Sequence, residues 1–467
     1  MILYCPICYQ TDEFFANKEI MTNRLDLGKE AILPLLLKMS WPSIIAMTAM
    51  SLYNFIDTFW LARLSSQALA AISVCFPLQL IAAAMGVGTG IGAGSFSARM
   101  LGAGNGLDAS KAAGQTFFLA LFFGAISITT VFLCGDSMLR LFGASEDIMP
   151  LCRDYLYIIV FSAPFLFFSM MTAIMLRVEG RPLLSMYVVL TALISSAILD
   201  PLLIFGIGPF PRMGIKGAAL ATVIAQCIMF ILSMIFIRLK SSKYEFRWEY
   251  TIPNLQIIKS IYSTGFPSMV SNFIMSIVLI IYNQVLAQYG FQAIAALGIC
   301  FRVTGLATMV LFGIGAGLMP IIGYNFGSKQ FPRLKESLFV AVKVSLVFAV
   351  SAAILLEIFS HQIIAPFSND PYLTSIAVPA LRIHAAGLLF GAPIIMCINM
   401  FLGLGRGTLA MMVLLLRDIV FFIPLLLTLQ LFWGITGAWI AAPLASMIEL
   451  FIVIYWAKKE LRRIESI

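Results

Sequence analysis

Between Ile32 and Trp456 the chain is divided into about twelve apolar runs, most of them roughly twenty residues or longer and nearly free of charge. About 20 residues wound as an α-helix rise some 30 Å, the thickness of a bilayer's hydrocarbon core. No water is present there to pair backbone N–H and C=O groups, so a spanning segment is either a helix or a strand of a closed barrel. These runs are continuously apolar and lack the two-residue alternation of barrel strands. The spans are expected near 32–61, 70–97, 113–135, 152–175, 184–206, 215–237, 260–288, 294–322, 336–357, 376–402, 409–430 and 434–456. Composition settles the class: with 61% hydrophobic and 11% charged residues, 467 residues describe an all-α polytopic membrane protein rather than a soluble domain.

Basic residues orient the spans. With a cytoplasmic N-terminus, 22 of the 30 Lys and Arg fall on inner loops and tails, and five (Arg63, Arg140, Arg153, Arg212 and Lys216) fall at outer ends. Arg302, Arg382 and Arg417 are left inside helices. Because cytoplasmic loops carry the Lys/Arg excess, both termini are expected inside, in a bacterial inner membrane. The net charge of +8 then reports topology, and no nucleic-acid partner is expected.

Residues 1–31 read as a cytoplasmic segment without a cleavable signal peptide. Met21 opens what reads as the natural start, after a dispensable extension. Cys5 and Cys8 have the spacing of half a zinc site, but no second Cys or His pair follows in the tail, so no metal is expected. The remaining cysteines, at 75, 134, 152, 227, 300 and 397, lie singly in or beside helices and are expected to pack rather than to form disulfides.

The chain repeats itself. Trp41-Pro42-Ser43 recurs as Phe266-Pro267-Ser268, 225 positions on (267 less 42). The same displacement carries Gly88, Gly90, Gly92 and Gly102 onto Gly313, Gly315, Gly317 and Gly327, and Gly180-Arg181 onto Gly405-Arg406. After a loop shorter by five, Gly214 and Gly217 meet Gly434 and Gly437. Two pseudo-symmetric six-helix lobes of like orientation follow: an N-lobe at 32–237, a charged linker at 238–259, a C-lobe at 260–456 and a tail at 457–467. The glycine row beginning at Gly86 superficially resembles a dinucleotide loop, but it follows no strand, so close helix packing is expected of it.

Two acids interrupt the hydrocarbon of the N-lobe. Asp57 lies 19 residues beyond Lys38 and Asp200 lies 19 beyond Arg181, a rise of about 28 Å in each case. Thr222 is six residues past Lys216 on a helix running the other way, as Asp57 is six before Arg63, so all three share one level. Ser196 precedes Asp200 by one turn, and Pro201 leaves the carbonyl of Ala197 without its usual partner. Ala218, one turn before Thr222, offers its carbonyl only if the helix opens there. Carboxylates, hydroxyls and carbonyls are the ligands a hard cation takes, and either Na⁺ or a proton relieves the cost of about 3 kcal/mol that each buried charge carries.

The C-lobe lacks these oxygens: under the repeat Asp57 falls on Tyr282, Asp200 on Leu425 and Thr222 on Ala442. It has its own charges in Arg302, Arg382, Arg417 and Asp418, all near mid-depth by counting, with Arg417 and Asp418 pointing apart on a helix and interhelical pairing as their expected use. His361 is expected on an outer loop, and His384 as a satisfied helix residue. Phe168, Met171 and Met175 are taken as a soft wall facing the cleft between lobes.

Pro42 followed by Asp57-Thr58, then Gly180-Arg181, Asp200-Pro201-Leu202 and Gly217-Ala218-Ala219-Leu220-Ala221-Thr222, resembles the multidrug and toxic compound extrusion (MATE) family over nearly the whole span from Leu33 to Trp456. The resemblance implies cation-coupled efflux of amphipathic, cationic compounds by alternation of two lobes. It places a cation site on Asp57, Asp200, Ala218 and Thr222, adds Tyr53 as a hydrogen-bonding neighbour, and makes Pro42 a bend in the first helix. The chain departs from the family pattern in carrying Ser196 where Asn is frequent, and in lacking the acid that one branch has on its seventh helix. A monomeric antiporter needing no cofactor is expected, with Na⁺ or H⁺ as coupling ion. A lipid-linked precursor flippase of the same superfamily is the alternative. An intramembrane enzyme is disfavoured by the absence of His-Glu-x-x-His, Gly-x-Ser-x-Gly and Walker motifs.

Overall fold

The computed structural model describes residues 24–239, 242–245, 247–367 and 370–466, which leaves Cys5, Cys8 and Met21 outside the described residues. In chain order the long helices are α1 (Ile32–Leu64), α2 (Ser66–Gly102), α3 (Gly106–Leu141), α4 (Met149–Val178), α5 (Pro182–Phe205), α6 (Ile215–Ile237), α7 (Leu255–Ala287), α8 (Phe291–Gly327), α9 (Phe331–Ile358), α10 (Pro371–Gly403), α11 (407–433) and α12 (435–465). Among the described residues ten stretches are long and apolar enough to cross a membrane; the last of them, Gly407–Glu465, breaks into α11 and α12 at Gly434, whose φ of 58° is not helical. With α7 added, twelve segments result, as expected, and no strand occurs among the described residues.

Most helices run past the apolar runs that announced them. The extra turns carry charge, Arg99 closing α2 and Asp108 opening α3, because the hydrogen-bond ladder continues into the interface after the hydrocarbon stops. α1 runs unbroken through Pro42, as α7 does through Pro267. In each the serine that follows turns back on a carbonyl one turn earlier: Ser43 Oγ donates to Met39 O (3.0 Å) and Ser268 Oγ to Thr264 O (3.2 Å).

Packing repeats with the sequence. In the N-lobe α5 packs on α1 and α6, and α4 on α2, α3 and α6; in the C-lobe α11 packs on α7 and α12, and α10 on α8, α9 and α12. The lobes meet where α1 crosses α8 and α2 crosses α7 and α8.

Glycine makes that seam possible. A Cβ on Gly92 would sit 3.0 Å from the Gly265 nitrogen, and one on Gly317 would sit 3.1 Å from the Ser40 nitrogen. Gly88 abuts Met269 as Gly313 abuts Ile44, and Gly102 abuts Tyr324 as Gly327 abuts Arg99. Every one of these contacts maps onto its partner under the 225-residue displacement, so a two-fold relation governs the seam. All lie in the half of the bundle that carries the two ends of the described residues, Arg24 and Ser466, where Lys335 pairs with Glu465.

A strap closes this face. Leu25 N donates to Gly180 O (3.0 Å) and Arg24 Nε to Glu179 O (3.1 Å) on the N-lobe, while Asn325 Nδ2 donates to Leu27 O (3.3 Å) on the C-lobe. The linker joins in through Ser242 Oγ, which donates to Glu179 Oε2 (3.2 Å), and Gln115 Nε2, which donates to Tyr250 O (2.7 Å). All six described cysteines are free.

Candidate ion-coupling site

The contact of α1 with α5, and of α5 with α6, brings the acids and their neighbours together inside the N-lobe. Asp57 is 9% exposed and Asp200 fully buried, and the two lie within electrostatic reach of each other. Ser196 Oγ, one turn earlier on α5, donates to Asp200 Oδ2 at 2.9 Å. Tyr53, one turn before Asp57 on α1, lies 3.3 Å from Thr222 Oγ1 through its hydroxyl. The Oδ1 atoms of both aspartates are buried without a hydrogen-bond partner among the described residues. Two carboxylates with an unpartnered oxygen each thus lie in surroundings too apolar to solvate them.

Other parts of the expected set sit differently. Ala218 is buried in α6, which is regular across this turn, so the opening that would free its carbonyl is not seen. Pro201 lies within α5 immediately beyond Asp200, and the helix continues to Phe205. Gln226, one turn after Thr222, lies near the Tyr53 side chain, and its Oε1 has no hydrogen-bond partner among the described residues; an amide on the same face as Thr222 was the signal that could have found it.

Phe168, Met171 and Met175 do not face a cleft. The Phe168 ring lies 5.6 Å from Phe117 and 5.2 Å from Phe230, Met171 packs under Gly90, and the Met175 carbonyl accepts from Tyr244 (3.2 Å), all in the fully buried contact of α4 with its neighbours. Their hydrophobicity announced burial, and burial inside a lobe is commoner than on a cleft wall.

The C-lobe charges also need correction. Arg417 and Asp418 do not point apart: they pair with each other at 2.7 Å, because residues Leu416–Phe422 form a wider π-helical turn that brings sequence neighbours together. Arg382 is no mid-depth charge, since its half-exposed side chain reaches Glu357 (3.5 Å) and Ser360 (3.0 Å) at the end of α9; Arg302 is exposed. Glu449 on α12 escaped sequence reasoning altogether. It is 1% exposed, within electrostatic reach of Arg417 and Asp418, and neither carboxylate oxygen has a hydrogen-bond partner among the described residues. His361 stands exposed on the short helix Ser360–Ile364, and His384 is not satisfied as expected: it is buried against the rings of Tyr282, Phe301 and Trp439, and neither ring nitrogen has a hydrogen-bond partner among the described residues.

Comparison with known proteins now has a geometry to refer to. The chain is 27% identical to a multidrug export protein, MepA, of Staphylococcus haemolyticus, over 91% of this chain and 94% of that one. It is 32% identical to a protein of Shewanella oneidensis named FAD transporter, over 75% of this chain and 78% of the other. In three dimensions it superposes with a TM-score of 0.88 and 23% identity, covering 96% and 99% of the two chains, on a structure described as the outward-facing conformation of a multidrug resistance MATE family transporter. The MatE family profile matches twice, at residues 42–202 and 267–428, and its two starting points are 225 positions apart (267 less 42), the spacing of the internal repeat. A chain that carries this signature once in each half of a twelve-helix bundle belongs to the MATE family of transporters.

Proposed function

We propose that the protein exports small amphipathic cations across the bacterial cytoplasmic membrane, as a monomer with both termini inside, in exchange for Na⁺ or H⁺ bound between Asp57 and Asp200. The observation that carries this reading is the pair of buried carboxylates with unpartnered oxygens on neighbouring helices of one lobe. Ser196, Thr222 and Tyr53 complete the oxygen set. The bodies 32–237 and 260–456 rock about the seam, joined by 238–259. With the lobes closed at the face that carries the termini, the cation enters from the opposite side. Each elementary charge moving inward contributes about 2.3 kcal/mol per 100 mV. Coupling follows from differential affinity: the cation favours one disposition of the lobes and the organic substrate the other.

The experiment is efflux from vesicles under an imposed Na⁺ or pH gradient, each applied separately. Asp57→Asn and Asp200→Asn should each abolish ion-driven export at unchanged expression; full activity of both variants refutes the assignment. The FAD transporter relative favours one second reading, in which the cargo is an anionic flavin dinucleotide. Gradient-driven uptake of FAD, with no movement of a fluorescent organic cation, would select it.

A further inference from the structure

The repeat sets two equivalent loops on the face that carries the termini, Gly180-Arg181 between α4 and α5 and Gly405-Arg406 between α10 and α11. They are finished differently. Arg181 is 3% exposed, closed over by Glu179, the strap and the linker. The Arg406 side chain is 40% exposed and opens on a cavity of about 400 Å³, bounded by Ser263 of α7, Thr408 of α11 and Trp456, Lys459, Glu460 and Arg463 of α12.

Charge in this cavity is unbalanced. Glu460 lies 2.8 Å from Arg406 and 3.9 Å from Arg463, and so offsets one of three cations, leaving two in excess. Lys459 has no carboxylate within 4.0 Å among the described residues. Arg406 commits only its Nε to Glu460, which leaves the terminal nitrogens of its guanidinium fork for a second oxyanion. Arg and Lys at the mouth of a pocket between membrane helices match a phosphate group.

The helix that supplies most of the pocket also supplies a route for something longer than phosphate. Phe451, Tyr455, Lys459 and Arg463 follow one another at intervals of four, so each neighbours the next along a stripe that winds about 120° round α12, and Phe451 and Tyr455 are 69% and 63% exposed. Trp456 beside it is an aromatic residue of the kind that sits at headgroup level. A charged pocket at the membrane surface, continued along that winding stripe by exposed rings at hydrocarbon depth, fits a molecule with an anionic head and an apolar tail.

We infer that this cavity is a binding site for an anionic phospholipid, its phosphate held by Arg406, Lys459 and Arg463 and its acyl chains laid along Phe451 and Tyr455. The site lies in the lobe without the acidic pair and does not depend on which ion drives transport.

Native mass spectrometry of the full chain, released from micelles doped with equal amounts of phosphatidylglycerol and phosphatidylcholine, tests it. Wild type should retain phosphatidylglycerol preferentially, and Lys459→Gln/Arg463→Gln should lose that preference by roughly tenfold or more, each basic group contributing a several-fold factor. Lys335→Gln, on the same face but paired with Glu465 away from the cavity, should keep it. Because Lys459 is exposed, the single variant Lys459→Gln serves if the double variant unfolds. Three outcomes overturn the proposal: no preference in wild type, an unchanged preference in the pocket variants, or an equal loss in Lys335→Gln. Displacement of the lipid by excess soluble glycerol phosphate as readily as by phosphatidylglycerol would also overturn it, by showing a site for free phosphate.

Discussion

At the scale of the residue, the polar groups around Asp57 and Asp200 are not equivalent. The Tyr53 hydroxyl meets Thr222 at 3.3 Å, a long bond whose loss costs about 1 kcal/mol or less, whereas the two acids are the charges themselves. Tyr53→Phe should therefore raise the ion concentration needed for half-maximal efflux several-fold and leave the rate at saturating ion intact. An ion titration of vesicle transport reads this directly, and a superimposable curve would remove Tyr53 from the site. The acids were legible because a carboxylate in a hydrocarbon run has a cost that needs a reason. Gln226 was not, because an amide carries no charge to count; Glu449, a carboxylate inside the run 434–456, carries the same signal as the aspartates. Ala218 shows the converse limit: a carbonyl's availability depends on local backbone geometry, which a residue name does not state.

At the scale of the helix, the seam between lobes rests on positions where no side chain fits. Gly92 and Gly317 hold equivalent places, each with neighbouring backbone about 3 Å from where a Cβ would lie. Gly92→Val and Gly317→Val should each push the lobes apart at the face that carries the termini and cut the maximal transport rate by an order of magnitude or more, while both proteins still fold. Accessibility of a cysteine introduced at Ser40, assayed with a membrane-impermeant thiol reagent from that face, should rise for Gly317→Val; no change in either measurement would mean that the seam need not close. Helix number and repeat were legible because hydropathy and glycine spacing both survive duplication. The π-helical turn of α11 was not: Leu416–Phe422 has an ordinary apolar pattern with one ion pair in it, and nothing in that pattern marks a wider turn. Arg382 was misplaced for a simpler reason, since depth counted along a helix ignores the reach of a long side chain to Glu357.

At the scale of the whole molecule, strap, linker and loop converge on Glu179, which lies between membrane spans. Burial raises its carboxyl to about 7, against the opposing pull of Arg181 and Arg24 and the hydrogen bond from Ser242. The folded state thus holds this proton more tightly than the unfolded chain, whose carboxyl stays near the ordinary 4.5. The stabilisation is complete below about pH 4.5 and is lost as pH rises through about 7, a change on the order of 3 kcal/mol. Thermal unfolding of the purified protein should accordingly shift downward across that window, and Glu179→Gln should flatten the slope; an unaltered slope would place the titration elsewhere. None of this convergence could be read beforehand, because Arg24, Glu179 and Ser242 are far apart in the chain and each looks like an ordinary loop charge or hydroxyl. The seam has a further consequence. Since Gly92 meets Gly265 as Gly317 meets Ser40, each lobe presents both members of a self-complementary surface, the property of two identical subunits related by a dyad. A six-helix half bearing those residues carries both sides of its own seam, and one copy can specialise for the acids as soon as duplication has made the two distinguishable.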